Sequence, residues 1–354
     1  MNSAQPSEEP RLTSLSHGGG CGCKIAPGVL SGILRSVGAG VIPKELLVGI
    51  ETADDAAVYE LDAQRALVAT TDFFMPIVDE PVDFGRIAAT NALSDVYAMG
   101  GRPILALALV AMPIKVLSVQ TVGLILQGGA SVCREAGIPI AGGHTIDSVE
   151  AIYGLVALGL VNPKHVKRNC DAQPDDVLVL GKPIGVGVMS AALKRGGLSC
   201  SDYAQMIAVT TQLNTPGPEL ASLSGVHAMT DVTGFGLAGH ALEMARGAGC
   251  EILINWHDVP LLGAARTLAG RGFVTGASNR NWASYGDDMK LPPDFDEASR
   301  ALLTDPQTSG GLLVSCAQSS LAEVLAAFHR HGFESAVAIG SVGQKSDAPR
   351  LCVT

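Results

Sequence analysis

Asp54-Asp55-Ala56-Ala57-Val58-Tyr59-Glu60-Leu61 and, one turn later, Ala66-Leu67-Val68-Ala69-Thr70-Thr71-Asp72 decide how this chain folds. Two short aliphatic runs lie side by side in sequence, and aspartates stand at their outer ends. Runs of this length bounded by polar clusters read as strands, here 56–61 and 66–70, with another over 46–50. The period then changes to that of a helix over 84–99, with Asp83 at the cap and Ile87, Leu93 and Val96 among its apolar positions. Residues 104–111 follow as a buried strand, 119–136 as a helix and 152–161 as a strand. Several strands close in sequence, broken by helices, predict an α+β layer rather than a strictly parallel sheet.

The run Asp171-Ala172-Gln173-Pro174-Asp175-Asp176 interrupts this pattern. It divides the chain into an N-terminal domain, 27–172, and a C-terminal α+β domain, 173–354, with 1–26 as a flexible glycine-rich segment. Pro27 suits a first helical turn and opens a helix to about residue 37. In the second half, strands are expected over 177–180, 251–255, 311–315 and 336–339. Helices are expected over 186–194, 202–213, 237–248 and 321–331. Residues 273–295, rich in Gly, Asn and Asp, read as a long functional loop.

At 354 residues the chain can bury two sizeable cores, and 47% hydrophobic against 16% charged residues suits a well-packed enzyme. A net charge of -10 and 4% aromatics exclude nucleic acid as the main partner, because that role needs basic surface and stacking platforms. The longest apolar stretch, 104–113, is too short to cross a bilayer, so no membrane role is expected. Residues 1–16 carry no apolar signal core. Eight cysteines, only two of them close together, point to a reducing cytoplasm rather than a disulfide scaffold.

Acidic side chains recur at strand ends. Asp54 and Asp55 lie between two strands, and Asp72 follows a third. Asp95 shares a helix face with Asn91, and Asp231 precedes the turn Val232-Thr233-Gly234-Phe235-Gly236. Such carboxylates suit Mg²⁺, which keeps waters and bridges phosphates, although each aspartate alone also reads as a turn or helix cap. Ala141-Gly142-Gly143-His144-Thr145 and Thr308-Ser309-Gly310-Gly311 read as turns whose N–H groups can face an anion; neither is a Walker loop. Ser16-His17-Gly18-Gly19-Gly20-Cys21-Gly22-Cys23-Lys24 reads as a reactive flap. Glycines let it close over a ligand, and a cysteine near Lys24 and a helix N-terminus is expected to have a lowered pKa. The Cys21/Cys23 pair has three readings: metal ligands, a regulatory disulfide, or a nucleophile or soft-atom carrier assisted by Lys24. The glycine setting favours the last. His17 reads as a flexible polar residue, and Cys133 and Cys170 as structural.

Together these segments closely resemble selenophosphate synthetase (selenide, water dikinase), from about residue 12 to the end. The resemblance rests on the flap from His17 to Lys24, Glu51-Thr52-Ala53-Asp54-Asp55 and Thr70-Thr71-Asp72-Phe73-Phe74-Met75-Pro76. It extends through Asp83-Phe84-Gly85-Arg86 to Asn91 and Asp95, Gly142-Gly143-His144, Met229-Thr230-Asp231, Asn279-Arg280-Asn281-Trp282 and Asp305-Pro306-Gln307-Thr308. It implies a two-domain fold like aminoimidazole ribotide synthetase: an N-terminal mixed sheet completing a dimeric β-barrel, and a C-terminal α/β sandwich. The implied reaction turns ATP, hydrogen selenide and water into selenophosphate, orthophosphate and AMP, supplying selenium for selenocysteine and selenouridine. By motif position, Cys21 and Lys24 would be catalytic, and Asp55, Asp72, Asp95 and Asp231 would hold Mg²⁺. Lys24, Thr52, Ala53, Asp54, Asp72, Asp95, Gly143, His144 and Thr145 would meet ATP, the last three from either subunit of a homodimer. A selenide-delivery protein is a further expected partner. The broader superfamily and a non-catalytic metal or selenium carrier are the competing readings.

Overall fold

The computed structural model describes residues 9–25, 29, 32–33, 42–49, 54–348 and 350–354. Its N-terminal strands are β1 (Leu46–Val48), β2 (Ala57–Asp62), β3 (Arg65–Phe74), β4 (Arg102–Met112), β5 (Ile140–Asp147) and β6 (Ile152–Val161). They form one mixed sheet in the order β1-β2-β3-β6-β4-β5, antiparallel except where β5 joins β4. Alternation along β3 sets the two faces: Ala66, Val68, Asp72 and Phe74 are buried, whereas Thr71 and Phe73 face outward. Asp72 therefore lies within the strand, two residues before its end, and not beyond it.

Helix α1 (Pro81–Ala98) covers the buried face of β3 and β6, and α2 (Val119–Glu135) packs against α1. Proline occupies the first turn of α1, and the cap position falls on Glu80, so the expected cap, Asp83, lies inside the first turn. Asp83 instead accepts a hydrogen bond from the Tyr203 hydroxyl at 2.8 Å. α1 is buried on nearly every side because the C-terminal domain covers what the sheet and α2 leave. The two helices meet closely: a Cβ on Gly85 would lie 1.9 Å from the Ile125 carbonyl oxygen.

The C-terminal strands are β7 (Val177–Leu180), β8 (Val226–Asp231), β9 (Cys250–Ile254), β10 (Met289–Lys290), β11 (Leu312–Cys316), β12 (Val337–Lys345) and β13 (Leu351–Val353). They form a mixed sheet in the order β10-β13-β9-β12-β7-β11-β8. The helices are α3 (Val186–Lys194), α4 (Cys200–Thr210), α5 (Gly217–Ser222), α6 (Gly236–Ala248), α7 (Ala265–Gly270), α8 (Gly276–Tyr285), α9 (Glu297–Leu303) and α10 (Leu321–Arg330). Leu178 and Leu180 of β7 join the core formed with α3 and α6, while Val177 and Val179 pack with Val324 and Phe328 of α10. Covering on both faces explains why β7 is an unbroken apolar run. The expected α+β class and C-terminal sandwich are both present.

Two expected loops are regular elements. The turn expected at 141–145 belongs to strand β5, where Gly142 and Gly143 adopt φ of +149° and +155°. A Cβ on Gly143 would stand 2.1 Å from the Ala108 carbonyl oxygen, so glycine is what lets β5 approach β4. The loop expected over 273–295 contains α8, capped by the Thr275 side chain. Its buried positions include Ser278 and Asn281, so no apolar stripe announced it. The helix expected from Pro27 lies for the most part outside the described residues.

Candidate active site

Asp72 from β3 and Asp95 from α1 lie on the covered face of the N-terminal sheet, with Asp55 just before β2. Asp231 ends β8 and brings in the second domain. The Thr230 hydroxyl donates to Asp55 Oδ1 at 2.8 Å across the domain junction, and the Thr70 hydroxyl donates to Asp95. Burial, then repulsion from Asp231 and a third aspartate, pushes the Asp55 and Asp95 carboxyls well above the usual range. Burial also raises Asp231, against a hydrogen bond from Ser94. Oδ2 of Asp55 and Oδ2 of Asp231 are buried without a hydrogen-bond partner. Buried carboxylates left this way are costly, and a hard divalent cation is the natural compensation. Among the described residues, no three carboxylate, histidine or cysteine side chains converge on one ion. The arrangement therefore suits ions held by one or two carboxylates, with water and substrate oxygens completing the shell.

The flap closes this region from outside. Residues 12–15 and 20–23 form short 3₁₀ turns, Leu12 and Cys21 are buried, and Thr13 donates to Asp79. The segment expected to be flexible is thus docked over residues 9–25. Lys24 Nζ lies 3.2 Å from Asp72 Oδ2. Burial pulls its ammonium pKa down, but Asp72, Asp95 and Asp231 outweigh that and hold it above the ordinary value.

Asn91, fully buried on α1, ties these groups together. Its Nδ2 donates to Asp72 at 2.7 Å, and its Oδ1 accepts from Ser309 N at 2.7 Å and from Cys21 Sγ at 3.1 Å. Cys21 N donates to the Thr308 hydroxyl at 3.1 Å. The expectation of a lowered Cys21 pKa is overturned. Burial, then Asp72, raises the thiol well above its usual value, and Lys24 opposes them only in part. Burial raises Cys23 also. In the closed flap Cys21 is a neutral hydrogen-bond donor.

The 308–311 turn is present where expected, but it receives the flap, with Ser309 at a φ of +56°. The other glycine motif lies elsewhere. Gly143, His144 and Thr145 sit on edge strand β5, with β4 and β6 between them and β3. The register puts His144 on the open face, opposite Asp72. Asp54 accepts from Asn169 N at 2.8 Å, anchoring the inter-domain segment. Thr52 and Ala53 fall outside the described residues. His17 is held by Glu150 through both its backbone N and its ring.

Four residues at the site carry more than the sequence indicates. In sequence Asn91 is only a neighbour of Asp95, although the four-residue spacing places it on the site face. Thr308 and Ser309 read in sequence as an anion-facing turn, whereas here they hold Cys21 and Asn91. Lys182 carried no signal: it is fully buried, donates to the Gln212 and Ser309 carbonyls, and burial pushes its pKa down to about 7.

Comparisons with known proteins agree with this architecture. Residues 53–161 match the AIR synthase related protein N-terminal domain, and 173–349 its C-terminal domain. The chain is 62% identical over 339 residues to a selenide, water dikinase of Dechloromonas aromatica, covering 96% of this chain and 97% of that one. It is 64% identical over 333 residues to a namesake from Burkholderia pseudomallei, covering 94% of each. In fold it resembles thiamine-monophosphate kinase from Stenotrophomonas maltophilia, with TM-score 0.65, 19% identity and coverage of 94% and 96%. It also resembles hydrogenase maturation protein HypE in complex with ATP, with TM-score 0.60, 21% identity and coverage of 83% and 81%. Two matched domains and full-length relatives at this identity lead to one assignment: the chain belongs to the selenide, water dikinase family of AIR synthase related proteins.

Proposed function

We propose that this protein is a selenophosphate synthetase that converts ATP, hydrogen selenide and water into selenophosphate, orthophosphate and AMP. The observation that carries this reading is the contact of Lys24 with Asp72, beside buried Cys21, in a ring of aspartates drawn from both domains. Phosphoryl transfer depends on positioning and charge neutralisation more than on covalent help. Lys24 is a cation kept charged by three neighbouring aspartates, and it sits on the glycine-rich flap. Mg²⁺ at Asp55, Asp72, Asp95 and Asp231 would neutralise the polyphosphate and stabilise its leaving oxygens. The unpartnered oxygens of Asp55 and Asp231 support that set.

Flap closure holds Cys21 as a thiol against Asn91, so any role as selenium carrier requires the flap to lift and the proton to leave. Hydrogen selenide is already ionised near neutral pH and needs delivery and shelter rather than a base. With the flap docked, Asp72, Asp95 and Asp231 are buried.

The open face of the N-terminal sheet supports a homodimeric barrel. Tyr59, Phe73 and Ile146 on it are 39%, 52% and 55% exposed. A partner laid there would also approach Gly143, His144 and Thr145, which then meet ATP with Thr52, Ala53 and Asp54. All eight cysteines are free thiols, in keeping with a reducing cytoplasm. No described helix is long and apolar enough to cross a membrane. A selenide-delivery protein remains part of the proposal.

Chromatographic measurement of AMP and ADP with selenide, sulfide, thiamine phosphate or formylglycinamidine ribotide as co-substrate tests the reading. AMP formation that needs selenide is expected. ADP formation with either of the last two, and none with selenide, would overturn it.

A further inference from the structure

A cavity of about 600 Å³ lies against the flap. Its walls are the flap itself, α3 and the first turn of α8. Lys24, Lys194, Arg195 and Arg280 line it, and no carboxylate does among the described residues. In a chain of net charge -10 that segregation is not the default surface. Lys24 is committed to Asp72, and Arg195 lies over the Phe273 ring and donates to the Gly272 carbonyl.

Lys194 and Arg280 are different. Lys194 Nζ donates to the Ser16 carbonyl at 3.1 Å, and Arg280 Nη2 donates to the Gly22 carbonyl at 2.9 Å. Neither pairs with a carboxylate among the described residues. Two exposed cations of the C-terminal domain thus hold the two ends of the flap by neutral carbonyls, a weaker partner than any anion. The helix ends reinforce the contrast. The N-terminus of α3 is filled by the Asp305 carboxylate, which accepts from Gly187 N and Val188 N at 2.9 and 3.2 Å. The N-terminus of α8, at Thr275, Gly276 and Ala277, opens onto the cavity with no acidic side chain in its first turn.

We propose that this cavity binds a small, multiply charged oxyanion, orthophosphate or the phosphorylated product, and that Lys194 and Arg280 exchange the flap carbonyls for it. The guanidinium fork and the ammonium on facing walls match such an anion. Occupancy then unlatches the flap, coupling release of product to reopening of the site. The identity of the anion rests on the proposed function; the site itself does not.

Equilibrium dialysis of radiolabelled inorganic phosphate against the full chain, without nucleotide or divalent cation, tests the site. One phosphate per chain is expected, weakened about tenfold or more in Lys194→Gln combined with Arg280→Gln, since charge-assisted bonds carry the binding. Asp231→Asn is expected to bind as the wild type does. Lys194→Arg, which keeps the charge, is expected to retain binding, and melting curves check that each variant folds. Phosphate should also speed iodoacetamide modification of Cys21 in the wild type and not in the double variant. Absence of binding, binding unchanged in the folded double variant, loss of binding in Asp231→Asn, or a Cys21 rate indifferent to phosphate would each overturn the proposal. Phosphate binding without selenide-dependent AMP formation would count against the catalytic reading and leave the site standing.

Discussion

Replacing Gly20 by alanine should unlatch the flap without unfolding the protein. Gly20 has a φ of +53°, and a Cβ there would stand 2.1 Å from the Thr308 hydroxyl oxygen and 2.7 Å from Ile77 Cγ2. The left-handed conformation alone disfavours alanine by about 1–2 kcal/mol. Thr308 can rotate aside, but its hydroxyl then gives up the bond from Cys21 N, a loss of about 1 kcal/mol. The lower ends of these terms sum to about 2 kcal/mol, which shifts the closed-to-open ratio roughly 30-fold. Cys21 is 1% exposed, so its alkylation must pass through the open flap. Peptide-level mass spectrometry after timed iodoacetamide exposure should show Cys21 reacting roughly 30-fold faster in Gly20→Ala, in proportion to the open fraction. The melting temperature should move little, because the lost contacts are confined to the flap. An unchanged Cys21 rate in a folded variant would refute the idea that this glycine sets the docking of the flap.

Other perturbations separate the roles of individual residues. Lys24→Ala should abolish selenide-dependent ATP consumption with the circular dichroism spectrum unchanged; near-normal turnover would remove lysine from the mechanism. Asp55→Asn should weaken Mg²⁺-dependent ATP binding in calorimetry, and unchanged affinity and metal dependence would count against the aspartate ring. Phe73→Glu, on the open sheet face, should yield monomers in sedimentation if that face closes a dimer. Asp305 is fully buried, and burial, opposed by hydrogen bonds from Val188, Gln307 and Gly187, raises its pKa to about 7. A raised carboxyl binds its proton more tightly in the folded state, so its stabilising contribution is complete in acid and fades as pH rises from about 4 towards 7. Asp305→Asn should remove up to about 1.4 kcal/mol per pH unit of slope from denaturant-derived stability across that window; an unchanged slope would contradict the assignment.

Much of the fold was legible because its core obeys simple periods. The aliphatic run of β3, the apolar run of β7 and the helical spacing of Ile87, Leu93 and Val96 in α1 each mark an element in sequence. α8 stayed hidden because its buried face includes Ser278 and Asn281, whose partners are backbone groups distant in sequence. β5 stayed hidden because Gly142 and Gly143 look like a turn, and only the neighbouring Ala108 backbone explains them. The aspartates were visible, since carboxylates stand out against apolar runs. The state of Cys21 was not. Its neighbour Lys24 suggests a thiolate, whereas three-dimensional burial and the amide of Asn91 make it a thiol. The latches from Lys194 and Arg280 to the flap carbonyls are equally invisible, because they join residues more than a hundred positions apart.

The central claim is that the flap and the aspartate ring form one phosphoryl-transfer site for selenide. Anaerobic phosphorus NMR of the full-length protein with ATP, Mg²⁺ and selenide tests it most directly. The account expects a selenium-coupled phosphorus resonance growing together with AMP and orthophosphate, and its loss in Lys24→Ala. Hydrolysis of ATP to ADP and phosphate alone, with no phosphorus–selenium species, would contradict it.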